Sequence, residues 1–431
     1  MPIIKQHMLP ALASLALGLA SHTATAAGPY ALTDLGTLGG AVSTSYGLNN
    51  AGTVVGSSDV ARGSGSDTAS GTPSDTSHAT TWRGGAPRDL GTLGGKYSVA
   101  QDINNAGVIA GWAGLPGDTV SRATLWQGGT PTPLGTLGGS YAAAYGINNR
   151  NQAVGVASTA SDPAGRATLW NGQRAQDLGT LGGTYGSAYD INDRGRVVGY
   201  SSTAGNAANH ATLWEGGRAI DLGTLGGKGS SAQAVNNAGL VAGSSDLAGD
   251  RTQHATLWRN GVITDLGALS TDGISGALGI NARGQVVGYS GSPFGGRPNA
   301  TLWEDGRIVD LNTLVKSSDP NFLLYQASDI NDLGQIAAVG LTGDFQTHAY
   351  LLTPTFTTRG ADELLAATTL VKDVAGDGAG MPLDEVFAAN VSAVPEPASL
   401  TLLAMGLLAL LGGRRSGNRR LAHRLASVQP D

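Results

Sequence analysis

The middle of the chain consists of seven imperfect copies of one unit, and this repetition constrains the fold more than any other feature. A D-L-G-T-L-G-G string or a variant of it begins at Asp34, Asp89, Pro133, Asp177, Asp221, Asp265 and Asp310. The spacings between these positions are 55, 44, 44, 44, 44 and 45 residues. A fixed period of this length is typical of solenoids, propellers and similar arrays, so one small unit must recur seven times.

Two further strings recur with the same period. An aliphatic residue followed by asparagine occurs at Asn49, Asn104, Asn148, Asn192, Asn236, Asn281 and Asn331. An A-T-L-W type string ends at Trp82, Trp126, Trp170, Trp214, Trp258 and Trp303, and residues 348–352 form a degenerate seventh copy. Each unit therefore has three fixed landmarks between which its secondary structure can be assigned.

The pattern within one period predicts four short strands. In the fourth unit these are residues 185–192, 197–201, 210–214 and 219–223. Turn sequences D-R-G and E-G-G separate the members of two hairpins, and glycine supplies the positive φ that such turns need. No apolar spacing of the helical kind occurs in the period. Four strands in about 40 to 50 residues match one blade of a β-propeller.

The two ends of the repeat region complement each other. Residues 30–36 copy only the fourth strand of a unit, whereas the last unit lacks its fourth strand. Together they make 28 strands, which predicts an all-β, seven-bladed propeller of four-stranded blades over residues 28–354, closed by the N-terminal strand. Closure removes exposed sheet edges. The asparagine-type strand then lies nearest the axis, where its small residues fit, and the six repeat tryptophans lie between neighbouring blades.

Residues 1–26 have the features of a secretory signal peptide. A lysine at position 5 precedes an apolar stretch of about a dozen residues, and small residues stand at both recognition positions of a signal peptidase site, Ala24 and Ala26. We expect cleavage by signal peptidase after this segment. The alternative, an N-terminal anchor, needs about 20 apolar residues.

A second apolar run lies near the C-terminus, at residues 398–413. Its 16 residues would form about 24 Å of helix, which spans a bilayer only marginally. Val394, Pro395, Glu396 and Pro397 precede the run, and Arg414 and Arg415 follow it. The arginines place the basic tail, residues 416–431, in the cytoplasm. Residues 355–393 are predicted to be a stalk between propeller and membrane.

This order of V-P-E-P, short apolar helix and arginines resembles the PEP-CTERM sorting signal of Gram-negative bacteria, here at residues 394–415. The resemblance implies recognition by an inner-membrane exosortase, cleavage near Pro395 to Pro397, and delivery to the cell surface or the exopolysaccharide matrix. Members of that group usually stop soon after the arginines, whereas this chain continues to Asp431. A plain single-pass anchor is the alternative.

The repeats themselves resemble those of the HAF-repeat family of predicted extracellular bacterial proteins. The matching strings in the fourth unit are residues 210–214, 221–227 and 191–195. The chain has threonine where the family name expects phenylalanine. The resemblance extends over about three quarters of the chain and implies a secreted protein, without an established reaction or ligand.

Composition and motifs argue against several kinds of chemistry. The chain contains no cysteine, and its net charge of -6 offers no basic surface for nucleic acid. No G-x-S-x-G elbow, H-E-x-x-H string or P-loop occurs. The repeated histidines at positions 78, 210, 254 and 348 would be spread around the ring, so we interpret them as structural. The repeated asparagines and aspartates are interpreted as turn caps. We therefore predict no catalytic, cofactor or metal site.

The functional prediction is based on the insertions that interrupt the repeat. The first period is 11 residues longer than the next, within residues 57–77, and the last unit is extended at 315–321 and 341–346. Loops on a rigid scaffold commonly carry function, although a solvated linker is the alternative for the first insertion. We expect a non-enzymatic surface or matrix protein that binds exopolysaccharide or a surface partner. The alternatives are a carbohydrate-active hydrolase or lyase, and an inert structural protein.

Overall fold

The predicted propeller is confirmed. The computed structural model of the protein describes residues 30–61, 76–161 and 164–355, all within one compact unit. These residues form 28 strands arranged as seven antiparallel four-stranded sheets. The first strand of each sheet contacts the first strands of its two neighbours, and these contacts close into a ring. The asparagine-type strands are therefore innermost, as the sequence indicates.

The strand bounds are as follows. Blade 1 contains β2 (Gly39–Leu48), β3 (Val54–Val60), β4 (Ser77–Arg83) and β5 (Ala86–Asp89). Blade 2 contains β6 (Ser98–Ile103), β7 (Ile109–Gly114), β8 (Ser121–Gln127) and β9 (Thr130–Pro133). Blade 3 contains β10 (Gly138–Ile147), β11 (Gln152–Thr159), β12 (Arg166–Asn171) and β13 (Arg174–Asp177). Blade 4 contains β14 (Gly182–Ile191), β15 (Val197–Thr203), β16 (Asn209–Glu215) and β17 (Arg218–Asp221).

The remaining blades follow the same order. Blade 5 contains β18 (Gly226–Val235), β19 (Val241–Leu247), β20 (Gln253–Arg259) and β21 (Val262–Gly267). Blade 6 contains β22 (Ile274–Ile280), β23 (Val286–Gly291), β24 (Asn299–Glu304) and β25 (Arg307–Asp310). Blade 7 contains β26 (Leu323–Ile330), β27 (Ile336–Leu341), β28 (Thr347–Pro354) and, from the other end of the repeat region, β1 (Tyr30–Asp34). Short 3₁₀ helices lie at Ala204–Asn206 and Leu311–Thr313.

The N-terminal strand closes the ring. β1 pairs antiparallel with β28, so that Leu32 lies opposite Leu352. The backbone N–H of Tyr30 also donates to the carbonyl of Leu314 at 2.8 Å. The last blade thus acquires its outermost strand from residues more than 300 positions away in the chain, which ties the two ends of the repeat region together.

The fourth strand of each blade is shorter than the sequence suggests. The prediction extended it through the D-L-G string, but β1 ends at Asp34 and most other copies also end at the aspartate. The Asp34 side chain accepts the N–H of Gly36 at 2.8 Å, and Gly36 has a φ of 67°. This side-chain bond turns the backbone away from the sheet, so the string begins the crossing to the next blade.

The two faces of the ring differ in their connections. The turns after the innermost strands, which contain the repeated asparagines, lie on one face, here called the Asn face. Because successive strands are antiparallel, the loops between second and third strands, such as residues 115–120, lie on the opposite face together with the crossings between blades. This second surface is called the loop face.

The Asn face carries a closed ring of side-chain hydrogen bonds. The side-chain amide Nδ2 of each repeated asparagine donates to the backbone carbonyl of the asparagine in the next blade, over 3.0 to 3.1 Å. Asn331 donates to Asn49, so the seven bonds close without a gap. The same side chains accept backbone N–H groups within their own turns, as Asn49 does from Ala51. Turn capping was predicted, but the ring was not.

The six repeat tryptophans pack between blades. Each is at most 4% exposed. Trp170 of blade 3, for example, packs in one cluster with Val108 and Ala123 of blade 2. The same arrangement recurs in the other interfaces, where the tryptophan of each blade meets small side chains of the blade before it. Burial of a side chain of this size is the main apolar contribution to each interface.

The tryptophan N–H groups are not equivalent. Nε1 of Trp170 donates to the carbonyl of Gly135 at 2.8 Å. In blade 2 the corresponding carbonyl, that of Gly91, instead accepts the hydroxyl of Ser98 at 2.7 Å. Nε1 of Trp126 in that blade has no partner among the described residues. A serine on the innermost strand thus replaces the tryptophan as donor to this carbonyl, and Trp170 is bonded because blade 3 has Ala142 at the serine position.

We expect Trp170→Ala to lower the free energy of unfolding by about 3 to 5 kcal/mol, because the change leaves a cavity between two blades. Denaturant unfolding measures this loss. It is followed by far-ultraviolet circular dichroism of the backbone, so that the signal does not depend on tryptophan fluorescence. A loss below about 1 kcal/mol would contradict the interblade packing.

A pair of phenylalanine variants separates packing from hydrogen bonding. Trp170→Phe removes the bond to Gly135 and leaves its carbonyl unpaired, whereas Trp126→Phe removes an N–H that has no partner. Trp170→Phe should therefore cost about 1 kcal/mol more than Trp126→Phe. Equal losses would mean that the bond contributes nothing.

Candidate functional site

In six of the seven blades, one polar residue of the third strand is paired with the aspartate of the D-L-G string. His78 bonds to Asp89 at 2.8 Å. The equivalent pairs are His210 with Asp221, His254 with Asp265, Arg166 with Asp177, Asn299 with Asp310, and His348 with Asp34 across the closure. These pairs occupy different blades, and within residues 30–61, 76–161 and 164–355 no group of three or more His, Asp or Glu side chains is arranged to hold a metal ion.

The aspartate of each pair has two partners. Burial by itself would raise the pKa of Asp34, but the hydrogen bonds from His348 and from the Gly36 N–H outweigh it, so the pKa lies below its ordinary value. The carboxylate therefore stays ionised while it caps the turn and fixes the third strand. This position has a structural role in six of the seven blades.

Blade 2 departs from this arrangement. Its third-strand residue is Arg122, and proline, Pro133, stands where the other blades have the aspartate. No carboxylate among the described residues lies within salt-bridge distance of Arg122. The guanidinium Nη1 instead donates to the carbonyl of Ser121 at 3.3 Å and to that of Ser140 on the first strand of blade 3. Blade 2 alone therefore presents an arginine without a carboxylate partner at this position.

A cleft lies beside Arg122 on the loop face, between blades 2 and 3. Its volume is about 280 Å³. The lining residues come from both blades and from the loop between β7 and β8: Tyr97, Trp112, Gly114, Asp118, Thr119, Val120, Ser121, Ser140 and Tyr141. Tyr97 and Tyr141 are each 40% exposed. The cleft thus has three aromatic walls, several hydroxyl groups and one carboxylate, that of Asp118.

The aromatic surface continues from the cleft into blades 3 and 4. The hydroxyls of Tyr141 and Tyr145 are 3.5 Å apart. The ring of Tyr145 lies 5.7 Å from that of Tyr189, which in turn lies 5.7 Å from that of Tyr200. Burial raises the pKa of Tyr145 and Tyr189, so their hydroxyl groups remain protonated hydrogen-bond donors. Sequence reasoning missed this surface, although tyrosine occurs at the Tyr97 position in three consecutive units.

A second group of polar residues lies near the axis. Three innermost strands carry an aspartate two residues before the ring asparagine, at Asp102, Asp190 and Asp329. The Asp190 carboxylate accepts the N–H of Ile191 at 2.6 Å and that of Val235, in the next blade, at 2.7 Å. Asp102 and Asp329 make the same two bonds in their own positions. Each carboxylate therefore connects two adjacent blades.

The spacing of the three aspartates follows from crowding near the axis. The blade next to each aspartate has a small residue at the same position: Gly47, Gly146, Ala234 and Gly279 in the four blades without one. A Cβ on Gly146 would lie 2.7 Å from the carbonyl oxygen of Tyr189. Two neighbouring blades therefore do not both carry an aspartate at this position. A ring of seven blades can then contain at most three such aspartates. The D-I-N strings in three units were the available sequence signal, which the prediction did not use.

Burial strongly perturbs these three carboxyl groups. It raises the pKa of Asp102 to about 6, that of Asp190 to about 7 and that of Asp329 to about 8. Repulsion from the other aspartates raises the last two further, whereas the backbone N–H groups lower all three. As whole residues, the three aspartates are half-buried on the innermost strands. The group is therefore protonated in part at neutral pH.

Several predicted sites lie outside the described residues. These are the signal-cleavage residues Ala24 and Ala26, the sorting-signal residues Val394, Pro395, Glu396, Pro397, Arg414 and Arg415, most of the stalk, and the part of the first insertion at residues 62–75. The six repeat tryptophans lie in six separate interfaces and form no common site. In the described part of the chain, no helix is long and apolar enough to cross a membrane.

Comparison with known proteins identifies the C-terminal segment. Residues 393–416 match the PEP-CTERM protein-sorting motif, which confirms that part of the sequence interpretation. The motif implies processing by an exosortase and sorting to the cell surface. No curated protein matches the chain. Among solved structures, TolB from Acinetobacter baumannii is 12% identical, with a TM-score of 0.37, over 65% of this chain and 60% of the TolB chain.

We expect the free energy of unfolding to fall as the pH rises from 4 to 8. The three axial aspartates have raised pKa values in the folded protein, so the unfolded chain binds fewer protons and stability decreases with pH in this range. One pKa unit corresponds to about 1.4 kcal/mol. Because the three titrations are coupled and their effects do not add fully, we expect a total fall of about 2 to 4 kcal/mol. Denaturant unfolding at a series of pH values measures it.

Asp329→Asn and Asp193→Asn provide a matched pair. The first variant should reduce the fall between pH 4 and 8, because it removes a group that titrates in that range. Asp193 has a lowered pKa despite burial, owing to bonds from Asn149 and Asn237, so its contribution changes only at lower pH. The second variant should leave the slope unchanged. A wild-type stability that is flat or rises from pH 4 to 8 would rule out this role of the aspartates.

Proposed function

We propose that the protein is an exosortase-sorted surface protein whose propeller binds an extracellular polysaccharide in the cleft between blades 2 and 3. The observation that carries the proposal is the lining of the cleft, where Tyr97, Trp112 and Tyr141 stand together with hydroxyl groups and one carboxylate. Aromatic rings offer flat apolar faces to the C–H face of a sugar, and tyrosine and tryptophan add polar groups at their edges.

The shape of the cleft suits a polysaccharide chain better than a small ligand that the protein encloses fully. The cleft opens on the loop face, and the two flanking tyrosines are each 40% exposed. The tyrosines of blades 3 and 4 extend the aromatic surface away from the cleft. The open cleft between two blades lets one sugar of a longer chain enter while the rest of the chain continues over the loop face.

We propose binding without turnover. Glycoside hydrolysis usually employs two carboxyl groups on either side of the scissile bond. The residues that line the cleft include one carboxylate, Asp118, whose Oδ1 accepts the backbone N–H of Lys96 at 2.8 Å. That bond gives Asp118 a role in holding the loop, and the rest of the lining offers side chains suited to binding.

The proposed route to the surface uses both ends of the chain. Residues 1–26 direct secretion and are removed by signal peptidase, and residues 355–393 separate the propeller from the sorting signal. An inner-membrane exosortase then cleaves near Pro395 to Pro397 and releases the protein to the surface or matrix. The resemblance of the repeats to HAF-repeat extracellular proteins supports this location.

We expect Trp112→Ala to weaken retention on the host cell's own exopolysaccharide by about tenfold or more, because the largest aromatic wall of the cleft is removed. Affinity electrophoresis of the full chain in gels that contain the polysaccharide measures the change. Phe294→Ala is the matched control, since Phe294 is 93% exposed on a loop of blade 6, away from the cleft. Its retention should match that of the wild type.

Three outcomes discriminate between the functions considered. Retention that depends on Trp112, without release of reducing ends, is expected of a binding protein. Release of sugar products would establish the enzymatic alternative. Wild-type protein that passes unretained through every gel would support an inert structural role instead.

The sorting route has its own test. We expect Pro395→Ala combined with Pro397→Ala to leave the chain uncut and associated with the membrane, because the predicted cleavage region is altered. Fractionation of cells and immunoblotting of the mature size measure this. Pro382→Ala, which changes a proline outside the motif, should be processed normally. Normal release of the double variant would refute cleavage at this site.

A further inference from the structure

We propose that the cleft selects an acidic polysaccharide, whose sugar carboxylate pairs with Arg122. The inference rests on the proposed function, because it specifies the ligand of the same cleft. It starts from two departures from the repeat that coincide in space. The Arg122 position lacks its carboxylate partner only in blade 2, and the aromatic cleft lies at the edge of that same blade.

The next blade provides an internal comparison for Arg122. Nη1 of Arg166 donates to the carbonyl of Thr184 at 2.9 Å, as Nη1 of Arg122 does to the equivalent carbonyl, that of Ser140. Nε of Arg166, however, bonds to Asp177 at 3.1 Å. The two arginines thus share the same backbone anchor and differ in the carboxylate, for which blade 2 has Pro133. The remaining N–H groups of Arg122 are available to an external anion.

Arg122 lies next to the cleft, behind residues of its lining. The two carbonyls that it contacts belong to Ser121 and Ser140, and both residues line the cleft. The Arg122 side chain is half-buried. A guanidinium that is partly shielded from water and already held by backbone carbonyls loses little freedom on binding. Its planar fork of donors matches the two oxygens of a carboxylate.

One carboxylate lines the cleft, and two basic residues lie next to it. Asp118 is the one carboxylate of the lining, and the backbone N–H of Lys96 bonds to it. In blade 5 the equivalent residues, Lys228 and Asp250, form an ion pair at 3.6 Å. Lys96 occupies the position of Lys228, so two basic residues, Lys96 and Arg122, lie next to a lining with one carboxylate and give this region a net positive charge. An acidic glycan gains from that charge, and a neutral one does not.

A pair of polymers that differ only in charge tests this inference. Polygalacturonate and the same polymer after chemical reduction of its carboxyl groups are compared as ligands of the full chain. We expect the wild type to bind the acidic polymer at least about tenfold more tightly than the reduced one, with a preference that decreases as salt is raised.

Pro133→Asp is the decisive variant, because it restores the residue that the other six blades carry and supplies Arg122 with an internal partner. We expect it to weaken binding to polygalacturonate about tenfold and to change binding to the reduced polymer less than twofold. Arg122→Gln should have the same effect. Arg166→Gln, a matched change in the next blade, should leave the preference intact. Thermal melts confirm that each variant is folded.

The outcomes separate this inference from the proposed function. Equal binding of the two polymers, with loss of both in Trp112→Ala, would overturn the acidic preference and leave polysaccharide binding intact. A preference that persists in both Pro133→Asp and Arg122→Gln would exclude Arg122 as its source. If neither these polymers nor the host exopolysaccharide is bound by the wild type, the proposed function fails and the inference fails with it.

Discussion

The structure depends on closure of the ring within blade 7, where the two ends of the repeat region meet through backbone hydrogen bonds between β1 and β28. β1 supplies the outermost strand of blade 7, and Asn331 donates to the carbonyl of Asn49 as every other ring asparagine does to its successor. The interface between blades 7 and 1 therefore carries the same asparagine hydrogen bond as the other six interfaces. Because each asparagine also caps its own turn, a single side chain fixes both the local turn and the position of the next blade. A scaffold held at every interface in this way can tolerate divergence on its loops.

The differences between blades are as informative as their shared features. The pairing of a polar third-strand residue with an aspartate recurs in six blades, so the replacement of that aspartate by Pro133 releases Arg122 from a role that its equivalents fulfil. The same blade contributes Tyr97 and Trp112 to the cleft. Near the axis, three aspartates alternate with small residues because adjacent blades approach too closely for two larger side chains. Blades of nearly equal backbone thus differ in charge and surface chemistry.

Much of the fold was predictable because the repeat is nearly exact in length. The spacing of the Trp82 and Asn49 series gave the number of blades, and the incomplete end units gave the closure. The strand ends were less predictable: the D-L-G string looks like strand, but the Asp34 carboxylate bonds to Gly36 and turns the chain. The sorting motif at residues 393–416 was readable because it is recognised as a linear signal. The cleft was not readable, since its walls come from two consecutive blades and meet only when those blades pack side by side.

The sequence by itself determined the repeat, its count, the alternation of strands and turns, and the C-terminal sorting motif, because these depend on local pattern and on residues close together in the chain. The tertiary structure alone decided which side chains meet across blades: the asparagine ring, the choice between Ser98 and Trp126 as donor to one carbonyl, the three axial aspartates, and the aromatic cleft beside Arg122. Residues about 44 positions apart become neighbours only when the blades pack around a common axis, and the direction and burial of their side chains follow from that packing.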